Sequence, residues 1–178
     1  MKKTFIITEG ESDRLLLARL LWLPYGMTIV SAGGRSSADA LARSYLVNGD
    51  NNVAFVLDAD TLDHNQVEER RQFYHQSLKQ VALRSKWRVV MMVPEIEALF
   101  FRKPSVLESL VGRTITEEEV IQGRFNPKQT FARLFGGLGI IRIYKTVLTN
   151  PAIEQLREQP EIQELQQFLD SVSQKAAA

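Results

Sequence analysis

Phe5 Ile6 Ile7 is a short apolar run without polar alternation, the pattern of a strand buried on both faces of a parallel sheet, and it stops at Glu9 Gly10. From Glu11 the period changes. Leu16, Leu17, Leu20 and Leu21 follow one helical face, Glu11 or Ser12 can begin that helix, and Pro24 closes it. Met27 to Ala32 is again β-rich. Gly33 Gly34 then breaks the chain before Ser36, which with Asp39 predicts a capping box ahead of a helix over Ala40 to Val47. Asn48 to Asn52 has turn chemistry, and Val53 to Leu57 predicts a central strand ending on Asp58 Ala59 Asp60. His64 to about Lys86 can carry a long helix, and Trp87 to Val93 a fourth strand that Pro94 ends. The order β-α-β-α-β-α-β predicts a mainly parallel sheet with helices on its faces.

Beyond Pro94 the alternation gives way to consecutive helices. Glu95 to Arg102, Pro104 to Val111, Thr116 to Gln122, Pro127 to Phe135 and an amphipathic Pro160 to Gln174 are predicted. Gly136 Gly137 Leu138 Gly139 is a hinge-like break, Ile140 to Leu148 is open between helix and strand, and Lys175 to Ala178 is a frayed tail. The change near Pro94 divides the chain into an α/β part, 1–94, and a helical extension, 95–178, that packs on it.

Composition removes more possibilities than it adds. With 22 basic and 21 acidic residues in 178, the net charge of +1 points to no class of partner. The absence of cysteine excludes disulfides, thiolate metal sites and cysteine nucleophiles, and fits a reducing cytoplasm. The apolar run after Lys2 Lys3 is too short for a signal peptide, and no stretch approaches the ~20 apolar residues of a membrane span. A cytoplasmic protein with no membrane association is expected.

The candidate chemistry lies at the strand ends. In a parallel sheet all carboxyl ends share one edge, and ligands of open α/β sheets bind in the crevice outside it. Here Glu9 follows the first strand, Asp58 and Asp60 the third, and Glu95 and Glu97 the fourth, while Asp13 lies one helical turn beyond Glu9. Carboxylates held close together repel unless protonated or bridged by a cation. A hard divalent ion such as Mg²⁺, or Mn²⁺, is the natural partner, and Mg²⁺ held by carboxylates commonly shares its shell with substrate phosphate. The acids suffice for one or two ions, the arrangement of two-metal phosphodiester chemistry. Glu97 is a candidate ligand, whereas Glu95 is expected to cap the helix after Pro94.

At these residues the sequence resembles the Toprim family, the metal-binding domain shared by topoisomerases, bacterial primases, small ribonucleases and overcoming-lysogenization-defect (OLD) nucleases. The resemblance rests on Thr8 Glu9 Gly10 Glu11 Ser12 Asp13 after strand one, Ala32 Gly33 Gly34 after strand two, and Val56 Leu57 Asp58 Ala59 Asp60 after strand three. It covers residues 1 to 95. Asp13 and the segment Val93 Pro94 Glu95 Ile96 Glu97 Ala98 Leu99 Phe100 resemble the OLD-type and small stand-alone members most. The resemblance implies a Toprim-like (Rossmann-like), mainly parallel four-stranded sheet flanked by helices, with the helical extension added. It also implies a Mg²⁺-dependent nuclease with Glu9 as acid/base or metal ligand, Asp58 and Asp60 as metal ligands, and Asp13 and Glu97 contributing to a second metal. A distal lysine near the scissile phosphate is implied too, with Lys128 and Lys145 as candidates. Larger relatives carry an ATPase domain, but this chain has no Gly-x-x-x-x-Gly-Lys-Ser/Thr loop, so an ATPase would be a separate partner.

Other features carry weaker readings. Gly10 and the Gly33 Gly34 Arg35 turn at a helix start offer N–H groups and a guanidinium to a nucleic-acid phosphate, or simply a tight βα turn. Lys79, Arg84, Lys86, Arg88, Arg102 and Lys103 form a locally basic stretch that could track a phosphate backbone or face solvent. His64 and His75 lack zinc spacing, and no tyrosine stands out as a topoisomerase nucleophile. A non-catalytic nucleic-acid- or partner-binding module and a primase-like nucleotidyl transferase are the alternatives to the nuclease.

Overall fold

A computed structural model describes residues 3–48, 51–82 and 85–173. The turn residues Gly49 and Asp50, the basic Arg84 and the expected frayed tail lie outside them. Four strands, β1 (Thr4–Thr8), β2 (Met27–Ser31), β3 (Asn52–Asp58) and β4 (Trp87–Met92), form an all-parallel sheet of order β2-β1-β3-β4. Helices α1 (Glu11–Leu20), α2 (Arg35–Val47) and α3 (His64–Lys79) connect them. The fold is α/β, Rossmann-like, and flanked by helices on both faces.

The period of two along each strand decides which helices cover which face. Ile7, Val53, Phe55, Leu57, Val89 and Met91 pack under α2 and α3 through Ala38, Ala42, Leu46, Val67 and Leu78. Ile6, Ile29, Ala54, Val56, Val90 and Met92 face the other way, onto Leu16, Leu17 and Leu20 of α1. Because α1 lies on one face and α2 on the other, the chain departs from β1 in one direction and reaches β3 in the other. The crevice between the carboxyl ends of β1 and β3 is therefore the topological switch point.

The extension comprises α4 (Ala98–Phe101), α5 (Pro104–Val111), α6 (Glu117–Phe125), α7 (Pro127–Leu134), α8 (Ile140–Thr146), α9 (Asn150–Arg157) and α10 (Pro160–Ser173). It shares one core with the α1 face, where Phe100, Phe131, Tyr144, Leu156, Leu165 and Leu169 meet the strand residues. The rings of Phe100 and Phe131 lie 4.4 Å apart at the centre of this layer. Gly123 in α6 is seated directly on Phe101, and a β-carbon there would come within 2.0 Å of that ring.

Several boundaries differ from the sequence pattern. Helix α2 begins at Arg35 with Gly34 as its N-cap, so Ser36 lies inside it and the expected Ser36–Asp39 capping box does not form; Asp39 instead accepts from the Ser77 hydroxyl at 3.3 Å. Gly33 and Gly34 adopt φ of 78° and 134°, conformations that favour glycine, and the turn they make sets this earlier start. Helix α3 stops at Lys79 rather than Lys86. The open segment is the helix α8, and α9 was not anticipated: Thr149 caps it by accepting from the Ala152 N–H, with Pro151 in its first turn. No helix among the described residues is long and apolar enough to cross a membrane.

Candidate metal and phosphate site

The β1–β3 crevice is built first by backbone. Ala32 N–H donates to the Thr8 carbonyl and Gly34 N–H to the Glu9 carbonyl, which holds the glycine turn against the end of β1. Ala59 N–H and Asp60 N–H donate to the Met92 and Pro94 carbonyls, which ties the end of β3 to the end of β4. Asp60 is the one non-glycine among the described residues with positive φ, at 51°. That conformation turns its carboxylate out of the strand line and toward Arg35.

Onto this frame come the acids. Glu9 Oε1 accepts from the Asp58 N–H at 3.2 Å and from Arg35 Nη2 at 3.0 Å. Arg35 Nη2 also reaches Asp60 Oδ2 at 2.7 Å and the Asp58 carbonyl at 2.8 Å, so one guanidinium bridges both strand ends. Asp58 Oδ1 accepts from the Ile96 N–H at 2.9 Å. Burial, then the charges of Asp13 and Glu97, push the Asp58 carboxyl up to about 9.

Glu97 is fully buried. Its Oε1 accepts from the Tyr144 hydroxyl at 3.0 Å, while its Oε2 has no hydrogen-bond partner. Burial pushes its carboxyl up to about 7, with Lys128 opposing that shift. Asp13 is also buried; its Oδ2 accepts from the Gly10 N–H and its Oδ1 from the Ser12 hydroxyl, both at 3.0 Å. Its carboxylate thus closes the first turn of α1.

Of the two candidate lysines the structure brings one to the acids. Burial works against the Lys128 ammonium, but the charges of Glu97, Asp13, Asp58 and Glu95 together hold its pKa above the usual lysine range. Its backbone N–H donates to Glu95 Oε2 at 3.0 Å, so Glu95 caps α7 across the crevice rather than the helix after Pro94. Lys145 is exposed on α8, and its charge bears on Glu11 at the start of α1.

The expected phosphate cradle is only partly free. Gly10 N–H is engaged by Asp13, Gly34 N–H by the Glu9 carbonyl, and Arg35 by Glu9 and Asp60, so each of the three already has a partner within the protein. Gly33 supplies the left-handed turn. Within the basic stretch, Arg88, Arg102 and Lys103 pair with Glu164, Glu161 and Glu158 of α10 and the segment before it. His64 and His75 are exposed on α3, and His75 packs edge-on against Trp87. Tyr144, as the partner of Glu97, was not singled out; its spacing from Glu97 in sequence gives no hint of the contact, which α8 makes only by packing on α1 and Phe131.

Among the described residues no three acidic, histidine or cysteine side chains converge closely enough to hold an ion as they stand. Two observations nonetheless fit a hard cation. The buried Glu97 Oε2 lacks a partner, and Asp58, Asp13 and Glu97 repel one another with Lys128 as the cation that bears on them. A cleft of about 780 Å³ is lined by Asp60, Glu95 and Lys128 among others. Comparison with known proteins adds no relative: no family model, curated protein or solved structure matches the chain.

Proposed function

We propose that this is a Toprim-type, Mg²⁺- or Mn²⁺-dependent phosphodiester hydrolase acting on DNA or RNA. The observation that carries the proposal is the charge cluster at the switch point of a parallel sheet: Asp58, Asp13 and a buried Glu97 with one unpartnered oxygen all bear on Lys128, and Glu9 accepts from the Asp58 N–H. Asp58, Asp60 and Glu9 would hold one cation, with Asp13 and Glu97 contributing to a second. Bound there, a divalent ion offsets charge on a phosphate oxygen and lowers the pKa of a water.

The chain's own residues supply the rest. Glu9 takes the proton of the attacking water through Oε1 or Oε2 once Arg35 releases it, and Lys128 Nζ faces the charge that develops on the phosphate. Arg35, freed from Glu9 and Asp60, becomes a phosphate ligand at the N-terminus of α2. Action in the cytoplasm, with a separately encoded ATPase as partner, belongs to the same proposal and rests on the family resemblance.

The test is incubation of the wild type, Asp58→Ala and Asp60→Ala with circular DNA, linear DNA and RNA, with and without Mg²⁺ or Mn²⁺. Cleavage by the wild type alone, and with metal alone, is expected. Full activity in Asp58→Ala overturns the assignment. The second reading, a non-catalytic nucleic-acid-binding module, is favoured by the way Arg35 already neutralises Glu9 and Asp60. It predicts binding insensitive to metal and no turnover in any substrate.

A further inference from the structure

The cleft lined by Lys128 also carries apolar and amide side chains that take no part in the hydrolysis proposed above. Its lining includes the apolar Leu62, Pro94, Phe125 and Ala132, and Asn126 and Gln129 add amide groups. Phe125 is 64% exposed in a protein that buries Phe55, Phe100, Phe101 and Phe131 completely. Its position at the last turn of α6 is fixed from below by Gly123 on Phe101, so the ring is presented by a rigid element rather than a loose loop. A second cleft, of about 490 Å³, is lined by Arg35, Arg70 and the 65% exposed Phe73. Asp60 links the two, because it lines the first cleft and its carboxylate pairs with Arg35 and Arg70 of the second.

We propose that the cleft takes one unpaired base of single-stranded nucleic acid, stacked on Phe125 with its polar edge toward Asn126 and Gln129, while the strand runs past Asp60 to Arg70. This deepens the hydrolase reading and rests on it for the placement of the adjoining phosphate at Lys128. A flat ring with exposed aromatic faces stacks on any base that is out of its helix, and the side-chain amides can donate to or accept from the edge such a base leaves free. A base inside a duplex cannot enter without leaving its stack. The volume, about 780 Å³, is in the range of sites that enclose small organic groups.

The experiment measures binding of fluorescently labelled single-stranded DNA and RNA, and of the duplexes of the same sequence, to wild type, Phe125→Ala and Phe125→Trp, with Ca²⁺ replacing Mg²⁺. Expected is tighter binding of one or both single strands than of the duplexes, weakened roughly 5- to 100-fold by Phe125→Ala and retained by Phe125→Trp, with duplex binding unchanged. Equal binding of single strand and duplex, no effect of Phe125→Ala, or no binding at all overturns the proposal. Parallel cleavage assays in Mg²⁺ separate the two readings. Metal-dependent cleavage of duplex that ignores Phe125 overturns the base slot and leaves the hydrolase, whereas Phe125-dependent binding without any cleavage does the reverse.

Discussion

Asp58 and Glu97 each keep a proton well above the pH at which they lose it in the unfolded chain, at about 9 and about 7 against ordinary values of 3.8 and 4.5. The folded protein therefore binds more protons than the unfolded one between about pH 4 and 9, and by linkage its stability falls as pH rises through that window. Glu11 and Glu119, held down at about 2 by Arg14 and Arg113, act with the opposite sign but only below about pH 4. Thermal unfolding without divalent ions should thus give a higher Tm near pH 5 than near pH 8. Added Mg²⁺ or Mn²⁺ should raise Tm more at the higher pH, because ligands must lose their protons to bind it. A Tm that rises from pH 5 to 8 in the absence of metal contradicts the charge cluster. The lysines allow a sharper comparison. Lys128→Ala should lower the rate of cleavage about 100- to 1000-fold, the scale of removing one transition-state donor, and Lys145→Ala should leave it within a few-fold. Asp60 is different again, since its positive φ suits glycine: Asp60→Gly should abolish cleavage yet change stability by no more than about 1 kcal/mol, the relief of backbone strain offsetting the lost, half-exposed Arg35 pair.

At the scale of elements, α6 shows how a helix without a strong apolar face is held. Of its residues only Gly123 is buried, and it is there that Phe101 of α4 makes its closest approach. Gly123→Ala improves helix propensity but drives a methyl group into the fully buried ring of Phe101, so a loss of about 1 to 3 kcal/mol, read by denaturant unfolding, is expected. A stabilised variant would show that the α4–α6 contact is loose. The strands and α1 were legible in the sequence because each carries a full apolar run or a clean helical period, as in Val53 to Leu57 or Leu16, Leu17 and Leu20. Boundaries set by backbone turns were not: Gly34 starts α2 ahead of the Ser36–Asp39 pattern, and α9 depends on the Thr149 cap and on Arg157, which stacks over Trp22 and donates to the Leu20 carbonyl. The strand-end acids could be read from topology alone, since any residue after a parallel strand must sit at the shared edge. Their pairings could not, because the contacts of Glu9 with Arg35, of Glu97 with Tyr144 and of Glu95 with the Lys128 N–H come from tertiary packing that no local spacing encodes.

For the molecule as a whole, the sheet and the helical extension do not have separate cores. The strand residues Ile6, Ala54, Val56, Val90 and Met92 pack in one cluster with Phe100, Phe131, Leu156 and Leu165, and α10 lies directly against β4 and β3. The boundary near Pro94 thus marks a change in element type and not a break in packing. The site depends on the same union: Asp58 is anchored by the Ile96 N–H, and Glu97 and Lys128, which complete the charge cluster, both come from beyond Pro94. A fragment of residues 1–94 would leave one face of a parallel sheet open to water apart from α1, a condition such sheets do not tolerate. It should fail to show a cooperative thermal transition and should remain soluble only poorly, while the full chain unfolds in one step by both circular dichroism and tryptophan fluorescence, which reports Trp22 beside α9 and Trp87 on β4. Two separated transitions in the full chain, or a folded fragment, would mean that the extension is an accessory to a self-sufficient sheet, and the acids of β1 and β3 would then have to work without Glu97 and Lys128.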